Sequence, residues 1–112
     1  MARVIITHAL VEEVNRVFKK RAIDVFSLMR SLEENPKKGK ALGNIGGVVI
    51  KELKYESFRF YFITDGFALK FGSQDDISRL LIKFIALSKK DNQQETIEQV
   101  KKMLEKLGFE GL

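Results

Sequence analysis

The sequence predicts an α+β fold with two N-terminal helices packed on a four- to five-stranded, mainly antiparallel sheet and a further helix at the C-terminus. Three observations support this. Apolar residues recur at helical spacing over residues 8–34, alternate with period two between residues 48 and 87, and return to helical spacing after residue 92. A length of 112 residues suits one domain, spanning residues 1–112.

The N-terminal third predicts a strand followed by helix. Residues 3–6 are suited to a short strand, and Thr7 is a suitable N-cap for the region that follows. The apolar stripe over residues 8–34 predicts either one long amphipathic helix or two helices folded on each other, with Asp24 as a candidate cap for the second. Asn35-Pro36 ends the pattern, because the residue before proline is disfavoured in a helix.

The middle of the chain predicts a sheet. After a turn-rich basic connection come four segments in which apolar and polar residues alternate: 48–54, 57–64, 67–72 and 79–87. Asp65-Gly66 is typical of a tight hairpin between the second and third of these.

The C-terminal segment predicts a helix over residues 94–107. Asn92 followed by Glu95 resembles a capping box. The apolar stripe of this helix predicts core packing. The alternative is that the stripe is a surface that exchanges with a helix of a partner protein. Its members are Ile97, Val100, Leu104 and Leu107.

Strand alternation places charge on one face of the predicted sheet. Phe58, Phe60 and Phe62 share a face and are expected in the core. Arg59 and Tyr61 therefore share the opposite face, about 7 Å apart along the strand.

The neighbouring predicted strands repeat this arrangement. Phe67, Leu69 and Phe71 are expected in the core, as are Leu80, Ile82, Phe84 and Ala86. The cations expected on the outer face are Lys70, Arg79 and Lys83, with Lys51 or Lys54 added according to where a bulge falls. A basic sheet face containing an aromatic suits binding of a nucleic acid. The alternative is an ordinary solvated sheet surface.

The overall charge agrees with a polyanionic partner. The net charge is +5, and residues 37–64 hold six lysines and arginines against two glutamates.

Composition excludes several kinds of site. The chain has no cysteine and a single histidine, His8, so thiolate zinc sites, cysteine nucleophiles and multi-histidine metal sites are excluded. The glycines between Gly43 and Gly47 lack the spacing of a phosphate-binding loop, and Asp75-Asp76 are typical of a turn. We therefore expect no cofactor and no metal.

No segment has the pattern of a signal peptide or a bilayer span, so we expect a cytoplasmic protein without a membrane partner.

Four motifs in this order resemble the RelE/ParE superfamily of type II toxin–antitoxin toxins, with features of its HigB-like branch. They are the strand 3–7 leading into paired helices, the Leu…Asn-Pro…Gly…Leu helix exit over 32–42, the aromatic-Arg-aromatic-Tyr strand and hairpin over 58–66, and the strand end over 84–91, which begins at Phe84, contains Lys89-Lys90 and is similar to a Phe-x-Lys-Lys strand end.

The resemblance implies a small RelE-like toxin that is neutralised by a cognate antitoxin and cleaves mRNA in the ribosomal A site. Arg59 matches the central-strand arginine of the family, Lys89 and Lys90 match the basic residues after the last strand, and Lys51 or Lys54 matches a lysine of RNA-cleaving members. Leu87-Ser88 depart from the family pattern, which has a histidine or arginine in that stretch.

Metal-independent cleavage by the 2′-OH needs a base, cations on the phosphate and an acid for the leaving oxygen. We expect the catalytic residues to be Arg59, Tyr61, Lys54 and Lys89, and the RNA-binding residues to be Lys51, Lys70, Arg79, Lys83 and Lys90.

A lysine acts as the base only if its pKa falls from about 10.4, and Tyr61, with a reference pKa of about 10, is a weak acid. Two alternatives therefore stay open, a non-enzymatic ParE-like topoisomerase poison and a non-catalytic member that only binds an antitoxin. A homodimer also stays open.

Overall fold

The computed structural model describes residues 1–112, and it confirms the predicted fold class. The strands are β1 Arg3–Ile6, β2 Lys40–Ile45, β3 Val48–Tyr55, β4 Phe58–Asp65 and β5 Leu81–Lys89. The helices are α1 His8–Phe18, α2 Ala22–Arg30, α3 Gly66–Phe71, α4 Gln74–Ser78 and α5 Gln93–Leu107. Short 3₁₀ turns lie at Lys19–Arg21, Ser31–Glu33 and Lys90–Asn92. None of the helices combines the length and apolar character needed to cross a bilayer.

The five strands form one mixed sheet in the order β1-β5-β4-β3-β2. The pairs β2–β3, β3–β4 and β4–β5 are antiparallel, and β1 runs parallel to β5. A parallel neighbour needs a long connection, which the rest of the chain between β1 and β5 provides.

The N-terminal helical region forms two helices. The chain turns at Lys19, whose φ of 53° places it in the left-handed region and ends α1. Asp24 lies in the first turn of α2, two residues after Ala22 begins it, so Asp24 is not the cap.

The main core lies between these helices and one face of the sheet. Phe60, Phe62 and Phe84 are fully buried there against residues of α1 and α2, as strand alternation predicts. Each large side chain removed from water contributes about 1.5–3 kcal/mol. This core therefore fixes which face of β4 is turned away from the N-terminal helices.

A second apolar cluster covers the opposite face of the sheet. Ile97, Val100 and Leu104 of α5 are buried against β3 and β4, which confirms the core packing of this stripe, whereas Leu107 is 52% exposed. The face expected to be the outer face of the sheet is therefore covered, because α5 packs across it.

The predicted hairpin at Asp65-Gly66 and the strand over 67–72 are wrong. The Asp65 carboxylate accepts a hydrogen bond from the Ala68 amide at 3.0 Å and caps α3. Phe67 and Phe71 lie one helical turn apart in mutual contact and are exposed rather than buried. Phe67, Leu69 and Phe71 are each two residues apart, and a run of only three apolar residues fits a helix as well as a strand.

The fifth strand is β2, within the segment predicted to be a connection. Gly46 and Gly47 link it to β3 with φ of 56° and 85°, so both adopt the left-handed region that glycine accommodates.

A register shift in β5 moves Ala86 away from its predicted place. Tyr61 pairs with Ala86 and Phe62 with Phe84, so Ile85 is an extra residue. Ala86 consequently packs with the α5 cluster, while Leu80, Ile82 and Phe84 lie in the main core as predicted.

Candidate functional site

Two rows of side chains cross the sheet face that α5 covers. The outer row runs Lys54, Arg59, Ser88 from β3 to β5. The adjacent row contains Glu52 and Tyr61, which are paired directly. Directly paired residues share a face with Cβ atoms about 4.5–5.5 Å apart. The sheet therefore gathers a cation, a hydroxyl and a carboxylate beside Arg59.

Arg59 is a buried cation without a counter-ion. Its side chain is 7% exposed and forms no ion pair. Nη1 donates to the Phe58 carbonyl at 3.0 Å and the Glu56 carbonyl at 3.2 Å. Nε has no hydrogen-bond partner. A buried donor left unpaired is unfavourable, so an anion bound at Nε would supply the missing acceptor.

Tyr61 is fully buried, and its hydroxyl lies 2.8 Å from Ser88 Oγ. Burial raises the pKa of Tyr61; the Ser88 hydrogen bond lowers it, the Glu52 charge raises it and the Arg59 charge lowers it, with a net rise. A buried phenol with a raised pKa is a poor proton donor. The expected role of Tyr61 as the general acid does not fit this arrangement.

Glu52 joins this face to α5. Its side chain is buried, and Oε2 accepts a hydrogen bond from Gln93 Nε2 at 2.6 Å. Sequence reasoning missed Glu52, Ser88 and Gln93 as members of the cluster. A signal existed for Glu52, since it is a single acidic residue in a strand that is otherwise apolar or basic.

Lys54 is the predicted lysine that accompanies Arg59. It pairs with Arg59 in the ladder and is exposed. Lys89 pairs with Phe58, so strand alternation turns it toward the opposite face, although it is exposed at the same end of the sheet. Lys90 is also exposed and begins the 3₁₀ turn after β5.

Lys51 lies on the wrong face for the predicted site. It pairs with Phe62, and its Nζ donates to the Lys37 carbonyl at 2.9 Å and lies 5.8 Å from the Phe62 ring centroid. Burial lowers the pKa of Lys51. A lysine with a lowered pKa is present, but it packs beside the main core and not beside Arg59.

Lys83 shares the face of Arg59 but lies toward the other end of the sheet. It pairs with Ile63, four residues along β4 from Arg59. Its Nζ donates to the Phe109 carbonyl at 2.9 Å and lies 4.9 Å from the Phe109 ring centroid. The ammonium group of Lys83 is therefore already bound by the C-terminal segment.

Lys70 and Arg79 are not on the sheet, so their predicted positions are wrong. Lys70 lies on α3, with its Nζ 5.3 Å from the Phe71 ring centroid. Arg79 follows α4 and pairs with Asp75 at 2.7 Å. Lys70 is displaced because the segment predicted as the second strand of a hairpin is helical, and Arg79 is displaced because β5 begins two residues later, at Leu81.

Comparison with known proteins finds no match to this chain among family models, curated proteins or solved structures. The chemistry of the cluster is therefore the basis for assigning a function. Arg59 and Lys54 provide a guanidinium fork and an ammonium group on one row, which together suit a phosphate diester. The cluster has cations for electrostatic stabilisation but no exposed acid beside them.

Proposed function

We propose that this chain is the toxin of a type II toxin–antitoxin system and that it cleaves mRNA on the ribosome without a metal. The observation that carries this proposal is the unpartnered Nε of Arg59, a nine-tenths-buried cation with no counter-ion. In this function Arg59 binds the scissile phosphate and stabilises the charge that develops as the 2′-OH attacks.

Arg59 lies near the N-terminal end of α5. The first residue of α5, Gln93, contacts Glu52, which lies one row inside the row of Arg59. The exposed Lys54 extends the positive surface, and Lys89 at the end of β5 and Lys90 just after it are exposed at the same end of the sheet. The ribosome holds the mRNA in place, so orientation supplies part of the rate enhancement.

The buried tyrosine supports a second candidate, a non-enzymatic ParE-like topoisomerase poison. Tyr61 is hydrogen-bonded to Ser88 and is the tyrosine on the same sheet face as Arg59. With this hydroxyl engaged, the cluster contains cations but no accessible acid. A phosphate-binding protein without cleavage chemistry meets the same description, as does a member that only binds an antitoxin.

Expression of the parent chain and of Lys54→Ala and Arg59→Lys variants tests the proposal. We expect the parent to arrest growth and to produce RNA fragments with 2′,3′-cyclic phosphate ends. Lys54→Ala should reduce cleavage about tenfold by loss of a phosphate contact, and Arg59→Lys should reduce it further, because an ammonium lacks the fork. Lys54 is exposed, so its variant keeps the fold.

The matched control is Arg79→Ala, which removes an exposed arginine outside the site. Purified parent protein is also assayed for inhibition of gyrase supercoiling. Gyrase inhibition without RNA cleavage would establish the second candidate and overturn the first. Cleavage that is equal in the parent and in both site variants would overturn the role of Arg59.

A further inference from the structure

The two edges of the sheet differ in whether their backbone groups are already occupied. The β1 edge is covered by the last residue of α2 and the turn that follows: Arg30 Nη1 donates to the Val4 carbonyl at 2.8 Å, and the Val4 amide donates to Glu33 Oε2 at 3.4 Å. The Ala2 amide just before β1 donates to the Glu33 carbonyl at 3.2 Å. Side chains that bond to an edge in this way prevent another strand from pairing with it.

The β2 edge has no such cover. Outside its ladder with β3, no backbone group of Lys40–Ile45 takes part in a hydrogen bond with any other part of the chain. In an edge strand, alternate residues direct their N–H and C=O groups away from the sheet. The outward-directed residues of β2 therefore present free donors and acceptors on its outer side, on both sides of the bulge between Ala41 and Gly43.

The segment that leads into this edge is basic. Lys37, Lys38 and Lys40 are all exposed, and residues 35–47 contain no acidic residue. The Lys37 carbonyl is already bonded to the buried Lys51, which anchors this basic segment to the sheet. The positive charge is thus held beside the free edge and is not on a mobile tail.

We propose that β2 is a docking edge for an extended acidic peptide segment of a partner protein, which adds to the sheet as a further strand. The backbone ladder provides affinity that does not depend on side chains, and the lysines select an acidic sequence. The bulge between Ala41 and Gly43 interrupts the ladder, so the regular stretch Gly43–Ile45 pairs with the peptide and the lysines contact its carboxylates. This proposal goes beyond the phosphate site and does not depend on it.

Amide hydrogen exchange measured by NMR on the whole chain tests this proposal. The probe is a blocked peptide of alternating valine and glutamate, added at increasing concentration. We expect the outward amides of β2 to gain about tenfold protection or more, while the amides of β1 stay unchanged. The same peptide with alternate N-methylated residues should not protect β2, because it cannot complete the ladder.

Charge reversal tests the acidic specificity. A Lys38→Glu/Lys40→Glu double variant should bind the peptide about five- to tenfold more weakly, with a reduced dependence on salt. The control is Lys20→Glu/Lys70→Glu, which makes the same charge change at exposed lysines on other elements. A valine–lysine peptide should not bind.

Three outcomes would overturn the proposal: no protection of β2, equal binding of the acidic and basic peptides, or protection of β2 that rises with protein concentration in the absence of peptide. The last would show that a second copy of this chain occupies the edge. None of these outcomes involves RNA cleavage, so failure here is distinguishable from failure of the proposed function.

Discussion

The hydroxyl groups of Tyr61 and Ser88 are hydrogen-bonded at 2.8 Å across adjacent strands, both buried beneath α5. This bond makes Tyr61 part of the packing of the sheet. It also explains the position of Ser88, which would otherwise place an unpaired hydroxyl in an apolar layer.

Tyr61→Phe should destabilise the chain by roughly 1–2 kcal/mol, because it leaves the buried Ser88 hydroxyl without its partner. Urea unfolding of Tyr61→Phe, Ser88→Ala and the double variant measures the coupling, which we expect to be about 1 kcal/mol. Growth arrest by Tyr61→Phe should equal that of the parent. A loss of RNA cleavage in a stably folded Tyr61→Phe would restore the role of the hydroxyl as an acid.

Lys51→Met should increase stability at neutral pH, since it removes a charge that burial disfavours. The pKa of Lys51 is lowered in the folded chain from its ordinary value of 10.5, so the unfolded chain binds the proton more tightly. The parent therefore gains stability as pH rises toward 10.5, and the advantage of Lys51→Met shrinks over the same range. Thermal unfolding of both proteins from pH 7 upward measures this. An advantage that grows with pH would contradict the account.

Gly39→Ala should destabilise the chain by about 2–3 kcal/mol, and Gly46→Ala by only about 1 kcal/mol. Both glycines have positive φ, but a Cβ at Gly39 would lie 2.9 Å from the Phe62 ring and 3.0 Å from the Glu52 carbonyl. A Cβ at Gly46 would meet nothing within 4 Å. The denaturant midpoints of the two variants separate crowding, which affects only Gly39, from backbone strain, which affects both glycines. Equal losses of stability in the two variants would show that the neighbours of Gly39 move to relieve the crowding.

Gln93→Ala should cost about 1–3 kcal/mol, because it leaves the buried Glu52 carboxylate without its donor at 2.6 Å. Adding Glu52→Gln should recover part of this loss by removing the buried charge. Chemical unfolding of the single and double variants checks the order of stability. If Gln93→Ala unfolds at the same denaturant concentration as the parent, the link between α5 and the sheet carries no stability.

Alternation in β4 was sufficient to predict where Phe60, Phe62 and Arg59 lie relative to the main core. This succeeds because a strand with three phenylalanines on one face has only one face to bury against the N-terminal helices. The apolar stripe of α5 predicts core packing, but the sequence does not indicate that α5 is the element that covers the other face. Strand alternation gives the face of Arg59 but not what packs on it.

The segment after Asp65 shows why local pattern was insufficient there. Asp-Gly favours a hairpin turn, and the same aspartate is also a good helix N-cap. Three apolar residues over five positions do not separate the two, so the sequence pattern places Lys70 on a strand. Likewise, Lys51 and Lys54 are three residues apart and lie on opposite faces of β3. The register of β3 with β4 decides which of them shares the face of Arg59, and it pairs Lys51 with Phe62 and Lys54 with Arg59.

The central claim is that the free Nε of Arg59 binds a phosphate of RNA. It is tested most directly by NMR of the arginine side-chain Nε–H groups during titration with a 2′-O-methyl RNA oligonucleotide, which binds without being cleaved. We predict that the Arg59 resonance shifts first and gains protection from exchange, while that of Arg79 does not change. An Arg59 resonance that stays fixed at saturating RNA would contradict the account.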